Sequence, residues 1–173
     1  MRSLLPLLLA FSTVAVPPHL VAAQISDRSL FERVAEAVLT YPQYGVFDGI
    51  DVDVQDRVVT LSGRVTNPKK KEDIEKRVQK IDGVRSLTSE IGVLPLSPSD
   101  DELRYRVARS IYNHPMFWMH GQRPIPPIHI IVERGRVTLT GLADSEVQRT
   151  TAASLAQVSG SFGVTNRIKV GKR

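Results

Sequence analysis

The stretch RVVTLSG at residues 57–63 returns as GRVTLTG at 135–141, an offset of 78 positions. In each copy apolar residues alternate with polar ones: Val59 and Leu61 in the first, Val137 and Leu139 in the second. A period of two is the mark of a strand with one face on a core. The segment just before each copy alternates too. IDVDV (50–54) puts Ile50, Val52 and Val54 on one face and Asp51 and Asp53 on the other, and IHIIV (128–132) keeps Ile128, Ile130 and Val132 in the equivalent places. The links QDR and ERG are short enough for hairpins.

The duplication extends outward from these hairpins. Arg33-Val34-Ala35 returns as Arg106-Val107-Ala108, and DGVRSLTSEIGV (82–93) matches SGSFGVTNRIKV (159–170). Upstream, Leu30, Val34 and Val38 in one copy and Leu103, Val107 and Ile111 in the other have helical spacing, behind capping-box patterns at Ser29–Glu32 and Ser99–Glu102 and ahead of Pro42 and Pro115. Downstream, Asn67-Pro68 and Asp144 read as helix N-caps. The stripes that follow are Ile74, Val78 and Ile81, with Val147, Thr151 and Leu155 as counterpart. A last strand carries Leu87, Ile91 and Val93, or Val164, Ile168 and Val170. The order is α-β-β-α-β, twice. The simplest packing is an α+β fold of two tandem units, each a three-stranded sheet with both helices on its apolar face and the other face wet. Gly63 and Gly141 are placed at strand ends before a helix cap, and Gly83 and Gly160 where helices stop. All four read as structural.

Residues 1–23 differ from the rest. One Arg, an apolar run and the small residues Val21-Ala22-Ala23 have the form of a secretory signal peptide; the run is short for a membrane span, and Pro17-Pro18 interrupts it. The expected layout is a signal peptide at 1–23, units at 27–94 and 100–171, and a linker at 95–99. The chain has no Cys, so it carries neither disulfides nor the Cys on which a lipoprotein anchor is built. This combination predicts an exported, periplasmic protein without a lipid anchor, and leaves secretion past the outer membrane open. Charge is uneven: residues 27–97 sum to −1 and residues 98–173 to +5, so attraction to an anionic surface should lie in the second half.

These motifs resemble the BON-domain family (bacterial OsmY and nodulation). The family's V-T-L-x-G appears as Val59-Thr60-Leu61-Ser62-Gly63 and Val137-Thr138-Leu139-Thr140-Gly141. Its G-V-x-x-V-x-N-x-I-x-V appears as Gly83-Val84-x-x-Leu87-x-Ser89-x-Ile91-x-Val93 and Gly160-Ser161-x-x-Val164-x-Asn166-x-Ile168-x-Val170. Ser89 stands where Asn166 keeps the usual residue, and Ser161 stands for the usual Val. The resemblance spans nearly all of the chain after residue 23. It implies a tandem double-BON protein of the cell envelope with roles in phospholipid binding and osmotic stress protection.

One segment stands apart. NHPMFWMHGQ (113–122) has neither a helical nor a strand period, and it groups Met116, Phe117, Trp118 and Met119 ahead of RPIPP. Three readings stay open. Phe117, Trp118 and Met119 insert into an anionic phospholipid surface with Arg123 near the head groups. Alternatively the same loop docks an envelope protein, as an interaction or chaperone-like module, or it plugs the protein's own core with Trp118 buried between the units. Other chemistry finds little support. Asp48, Asp51, Asp53 and Asp56 suggest calcium, yet DVDVQD lacks the Gly and Glu of an EF-hand loop. His114, His120 and His129 lack metal-ligand spacing. No nucleophile elbow or phosphate loop is present. The expectation is a non-enzymatic protein with no metal, cofactor or nucleic-acid partner and an oligomeric state left undetermined.

Overall fold

The computed structural model describes residues 26–171; the signal-peptide reading of residues 1–23 lies outside the described residues. The first unit runs α1 (Asp27–Leu39), β1 (Gly49–Gln55), β2 (Val58–Val65), α2 (Pro68–Gln79), β3 (Ser86–Val93). The second runs α3 (Pro98–Tyr112), a one-turn α4 (Trp118–Gly121), β4 (Ile128–Glu133), β5 (Arg136–Ala143), α5 (Glu146–Leu155), β6 (Gly163–Asn166), β7 (Lys169–Val170). In each unit the central strand pairs antiparallel with its hairpin partner and parallel with the strand after the helix. The α+β architecture of two like units is as the alternation predicts. Helix α3 begins inside the stretch read as linker.

The cores follow the two periodicities. Leu30, Val34, Val38, Val59, Leu61, Ile74 and Val78 are buried in the first, and Leu103, Val107, Ile111, Ile130, Val137 and Leu139 in the second. Three local expectations shift. Helices α1 and α3 start earlier than the Ser29 and Ser99 boxes, because Ser26 Oγ accepts the Ser29 N–H and Ser97 Oγ accepts the Asp100 N–H, each at 3.2 Å. The earlier start lets the carboxylate of Asp27 accept the N–H groups of Asp56 and Arg57, and that of Asp100 those of Arg134 and Gly135. Those four residues form the two hairpin turns, all with positive φ, as turns matching strand twist require. Helix α5 is capped by Ser145, not Asp144. Its buried stripe is Ala152 and Ala156, one residue away from Val147–Thr151–Leu155, because the offset of 78 persists through this helix; Val147 faces water.

Gly63 and Gly141 lie inside β2 and β5, not at strand ends. With φ of +125° and +100°, a Cβ on either would sit 2.1 Å from the carbonyl oxygen of Gly49 or Pro127. The partner strand's backbone occupies the space a side chain would need. Gly83 and Gly160 also have positive φ, in the turns after α2 and α5, whose C-caps are Lys80 and Ala156. The last strand is continuous in the first unit and broken into β6 and β7 in the second. At the break the Asn166 side chain accepts the Ile168 N–H at 3.1 Å and donates to Arg149 O on α5, while the Arg167 N–H keeps its bond to Leu139 O on β5. Ser89, at the same register position, leaves β3 intact.

The outward faces are not uniformly wet. All of β4 from Ile128 to Val132 is buried, including His129 and Ile131 on its outer face, because the first unit covers it. The docking is reciprocal. Val46 and Phe47, between α1 and β1, pack against the second core, and Ile125, between α4 and β4, packs against the first. Val46 O accepts the Ile130 N–H at 2.8 Å on the edge of β4 that β5 leaves free. The Tyr44 ring tilts onto that of His129 at 5.2 Å, and Phe47 meets Tyr105 edge-on at 5.1 Å.

Candidate functional site

The apolar segment 116–119 splits between inside and outside. Helix α3 ends at Tyr112, and backbone bonds from His114 N–H to Ile111 O and from Phe117 N–H to His114 O turn the chain back on itself. The turn points Phe117 inward. It is 0 % exposed, among the core residues with Leu103, Val107, Ile111 and Ile128. The expectation that Phe117 inserts into a membrane is therefore corrected: its ring already fills the protein's own interior. The segment expected to be irregular then makes a single helical turn, α4, with the N–H groups of His120 and Gly121 both bonded to Phe117 O.

The neighbours of Phe117 go the other way. Trp118 is 54 % exposed, Met119 73 % and Met116 37 %. The reading in which Trp118 is buried between the units is overturned by that exposure. Arg123, just beyond α4, is exposed as well. The platform under these side chains is held at several points. Tyr112 donates its hydroxyl to Ile128 O, and burial pushes its phenol pKa up, so the group stays a donor. The rings of His114 and His120 flank Phe117 at 6.2 Å each, and His120 Nε2 lies 3.3 Å from Asp144. Gly121 passes over Tyr112, where a Cβ would come within 3.1 Å of the Tyr112 Cβ. Ile125 then carries the connection across to the first unit. Sequence reading missed these anchors. Ile125 had one available signal, a lone aliphatic residue among three prolines in RPIPP.

The four aspartates do not converge. Asp48 is buried, accepting the N–H groups of Gly45 and Thr66 and the Lys70 ammonium at 2.6 Å, whereas Asp51, Asp53 and Asp56 are exposed along the first hairpin. Among the described residues no group of three or more His, Cys, Asp or Glu is placed to hold a metal, and no helix is long and apolar enough to cross a membrane.

Comparison with known proteins yields a family and distant structural likenesses. No curated protein matches the chain. Among solved structures, the C-terminal domain of CdsD, the structural protein of the type III secretion system of Chlamydia trachomatis, shares 13% identity over 86% of this chain and 68% of that one, with a TM-score of 0.35. A second structure of CdsD shares 14% over 82% and 92%, with a TM-score of 0.30. A family model for the BON domain matches residues 26–95 and again residues 99–172. BON domains are associated in general with membranes and phospholipids, and their proteins are generally non-enzymatic. Both matches coincide with the two α-β-β-α-β units, and together they take in most of the sequence: the chain belongs to the BON-domain family and carries two copies in tandem.

Proposed function

We propose that this protein is exported to the periplasm and attaches reversibly to an anionic phospholipid surface through α4. Met116, Trp118 and Met119 enter the interface, and Arg123 sits at head-group level. The observation that carries this reading is the outward presentation of three large apolar side chains on a turn whose fourth, Phe117, is locked in the core. Because the base is rigid, meeting an apolar surface orders side chains but not the backbone that carries them. Burying the exposed parts of these residues would contribute about 2–5 kcal/mol. A cation near an anionic leaflet adds about 1 kcal/mol. The sum corresponds to dissociation constants from about millimolar to tens of micromolar, suited to a peripheral protein that comes and goes. The excess of positive charge in residues 98–173 supports the choice of an anionic surface.

Flotation with vesicles of phosphatidylglycerol or of phosphatidylcholine, followed by Trp118 fluorescence, tests the reading. Trp118 is the only Trp, so its emission reports on α4 alone. The protein should float with the anionic vesicles, less so as salt rises, with a blue shift, and Trp118→Ala should weaken attachment about tenfold or more. Equal flotation of Trp118→Ala, or none of the parent protein, refutes it and turns attention to an envelope protein as the occupant of the same turn.

A further inference from the structure

The open faces of the two sheets meet as a wedge. On the first unit, register sets Asp51, Ser62 and Glu90 in one rank and Gly49, Arg64 and Gly92 in the next. On the second, Glu133 stands beside Arg136, and Ile131 beside Thr138 and Thr165. Between them lies a cleft of about 610 Å³, within the range of small-molecule sites. Four arginines line it, Arg64, Arg134, Arg136 and Arg167, against three carboxylates, Asp51, Glu90 and Glu133.

Two of these carboxylates are already engaged. Arg64 crosses from the first unit to Glu133 of the second at 3.4 Å, lying over Gly92, where a Cβ would fall 2.6 Å from its Nη1. Asp51 lies 3.7 Å from the Lys169 ammonium. Arg134, Arg136 and Arg167 have no ion pair among the described residues. All three are exposed on the second unit's side of the cleft, and among the described residues Glu90 is the one lining carboxylate without an ion pair. That arrangement favours an anion with more than one charged group: a single charge gains little against Glu90, whereas linked charges reach several arginines at once. The hydroxyls of Ser62, Thr138, Thr140 and Thr165 add neutral partners, and among the described residues no aromatic ring lines the cleft to stack a base.

We propose that this cleft between the units binds a multivalent phosphate-type oxyanion, gripped by Arg136 and Arg167 with Arg134 at the hairpin turn. Linked phosphates could come from a free ion or from a lipid head group. A wedge between two sheets admits a chain of phosphates but not a bilayer plane, so the free ion is expected. The proposal does not depend on α4.

Isothermal titration of the purified protein with sodium tripolyphosphate tests it, with orthophosphate and phosphatidylglycerol vesicles as the other two arms. Tripolyphosphate should bind one to one and more tightly than orthophosphate, and weaken as salt rises. The pair Arg136→Gln/Arg167→Gln should lose at least about tenfold in affinity, and Glu90→Gln should gain. Arg28→Gln/Arg109→Gln, which removes the same charge from exposed helix positions, should leave affinity unchanged, as should Trp118→Ser. A readout that needs no variant is the set of backbone amide shifts in the parent protein, which should concentrate at Ser62, Thr138 and Thr165. The absence of binding, an equal loss in the Arg28/Arg109 pair, or amide shifts away from the cleft overturns the proposal. So does a cleft variant that loses vesicle attachment while keeping tripolyphosphate.

Discussion

Replacing Phe117 with Ala and, separately, Trp118 with Ala asks whether two adjacent aromatic residues have opposite duties. Phe117 is wholly inside. An aromatic side chain buries roughly 150–250 Å², which at about 25 cal/mol per Å² is about 4–6 kcal/mol as an upper bound. Measured truncations of buried Phe cost about 3–5 kcal/mol, the spread reflecting how far the cavity collapses. Collapse is restricted here, since Ile111, Ile128 and Ile130 around the site belong to α3 and β4, which are pinned by register and by the first unit. For a chain of this size each kcal/mol shifts the melting temperature by about 2–4 °C, so Phe117→Ala should lower it by about 6–20 °C. Trp118 already has about half its surface in water, so Trp118→Ala should cost about 1 kcal/mol or less. Thermal unfolding by circular dichroism, with urea titration to confirm the free energies, decides the matter. The expected ranking is a large loss for Phe117→Ala with vesicle attachment kept at temperatures where it is folded, and the reverse for Trp118→Ala. A melting shift below about 2 °C for Phe117→Ala, or equal shifts for both, would refute the division of the turn into an anchor and a contact surface.

Two further outcomes follow from single contacts. Gly141→Ala should lower stability by more than about 3 kcal/mol or prevent folding, since its Cβ would lie 2.1 Å from Pro127 O at a φ of +100°; Gly171→Ala, with nothing within 4 Å, should melt with the parent protein in the same scan. Asp48→Ala should cost about 3–5 kcal/mol by urea unfolding because it strands the Lys70 ammonium, which is mostly buried at their 2.6 Å contact. The double change Asp48→Ala/Lys70→Met should recover part of that loss, and a double variant worse than the single one would count against the buried pair.

The hairpins were legible because their signal is local. A period of two assigns Val59, Leu61, Val137 and Leu139 to the core without knowledge of what lies across from them, and all four are buried. What lay beyond reach depends on distant parts of the chain. The need for glycine at 63 and 141 was readable, but its cause, a carbonyl on the paired strand, belongs to tertiary structure. The α5 stripe was misread by one residue because small residues give a helix a weak apolar period, so Ala152 and Ala156 are less conspicuous than Val147 and Leu155. Ile131, where the first unit has Asp53, was a visible break in alternation. It marks the outer face that the first unit covers.

The candidate site shows the same limit more sharply, and the limit bears on function. Four apolar residues in a loop carry no period, so composition alone cannot say which one goes inside. The choice is made by the tie points: the turn after α3 directs Phe117 into the second core, and Ile125 takes the far end of the connection into the first. With both ends committed to different units, the loop cannot fold back to cover Trp118 and Met119 unless it gives up one anchor. An unanchored loop of this composition would collapse onto the nearest apolar surface and hide its side chains. Docking of the units therefore preserves the exposure on which the proposed attachment to a lipid surface depends, and it makes the exposure of Trp118 and Met119 a property of the tandem. On the proposed reading the first unit would act by holding Ile125 of the second in its core, although none of its own residues needs to touch the membrane.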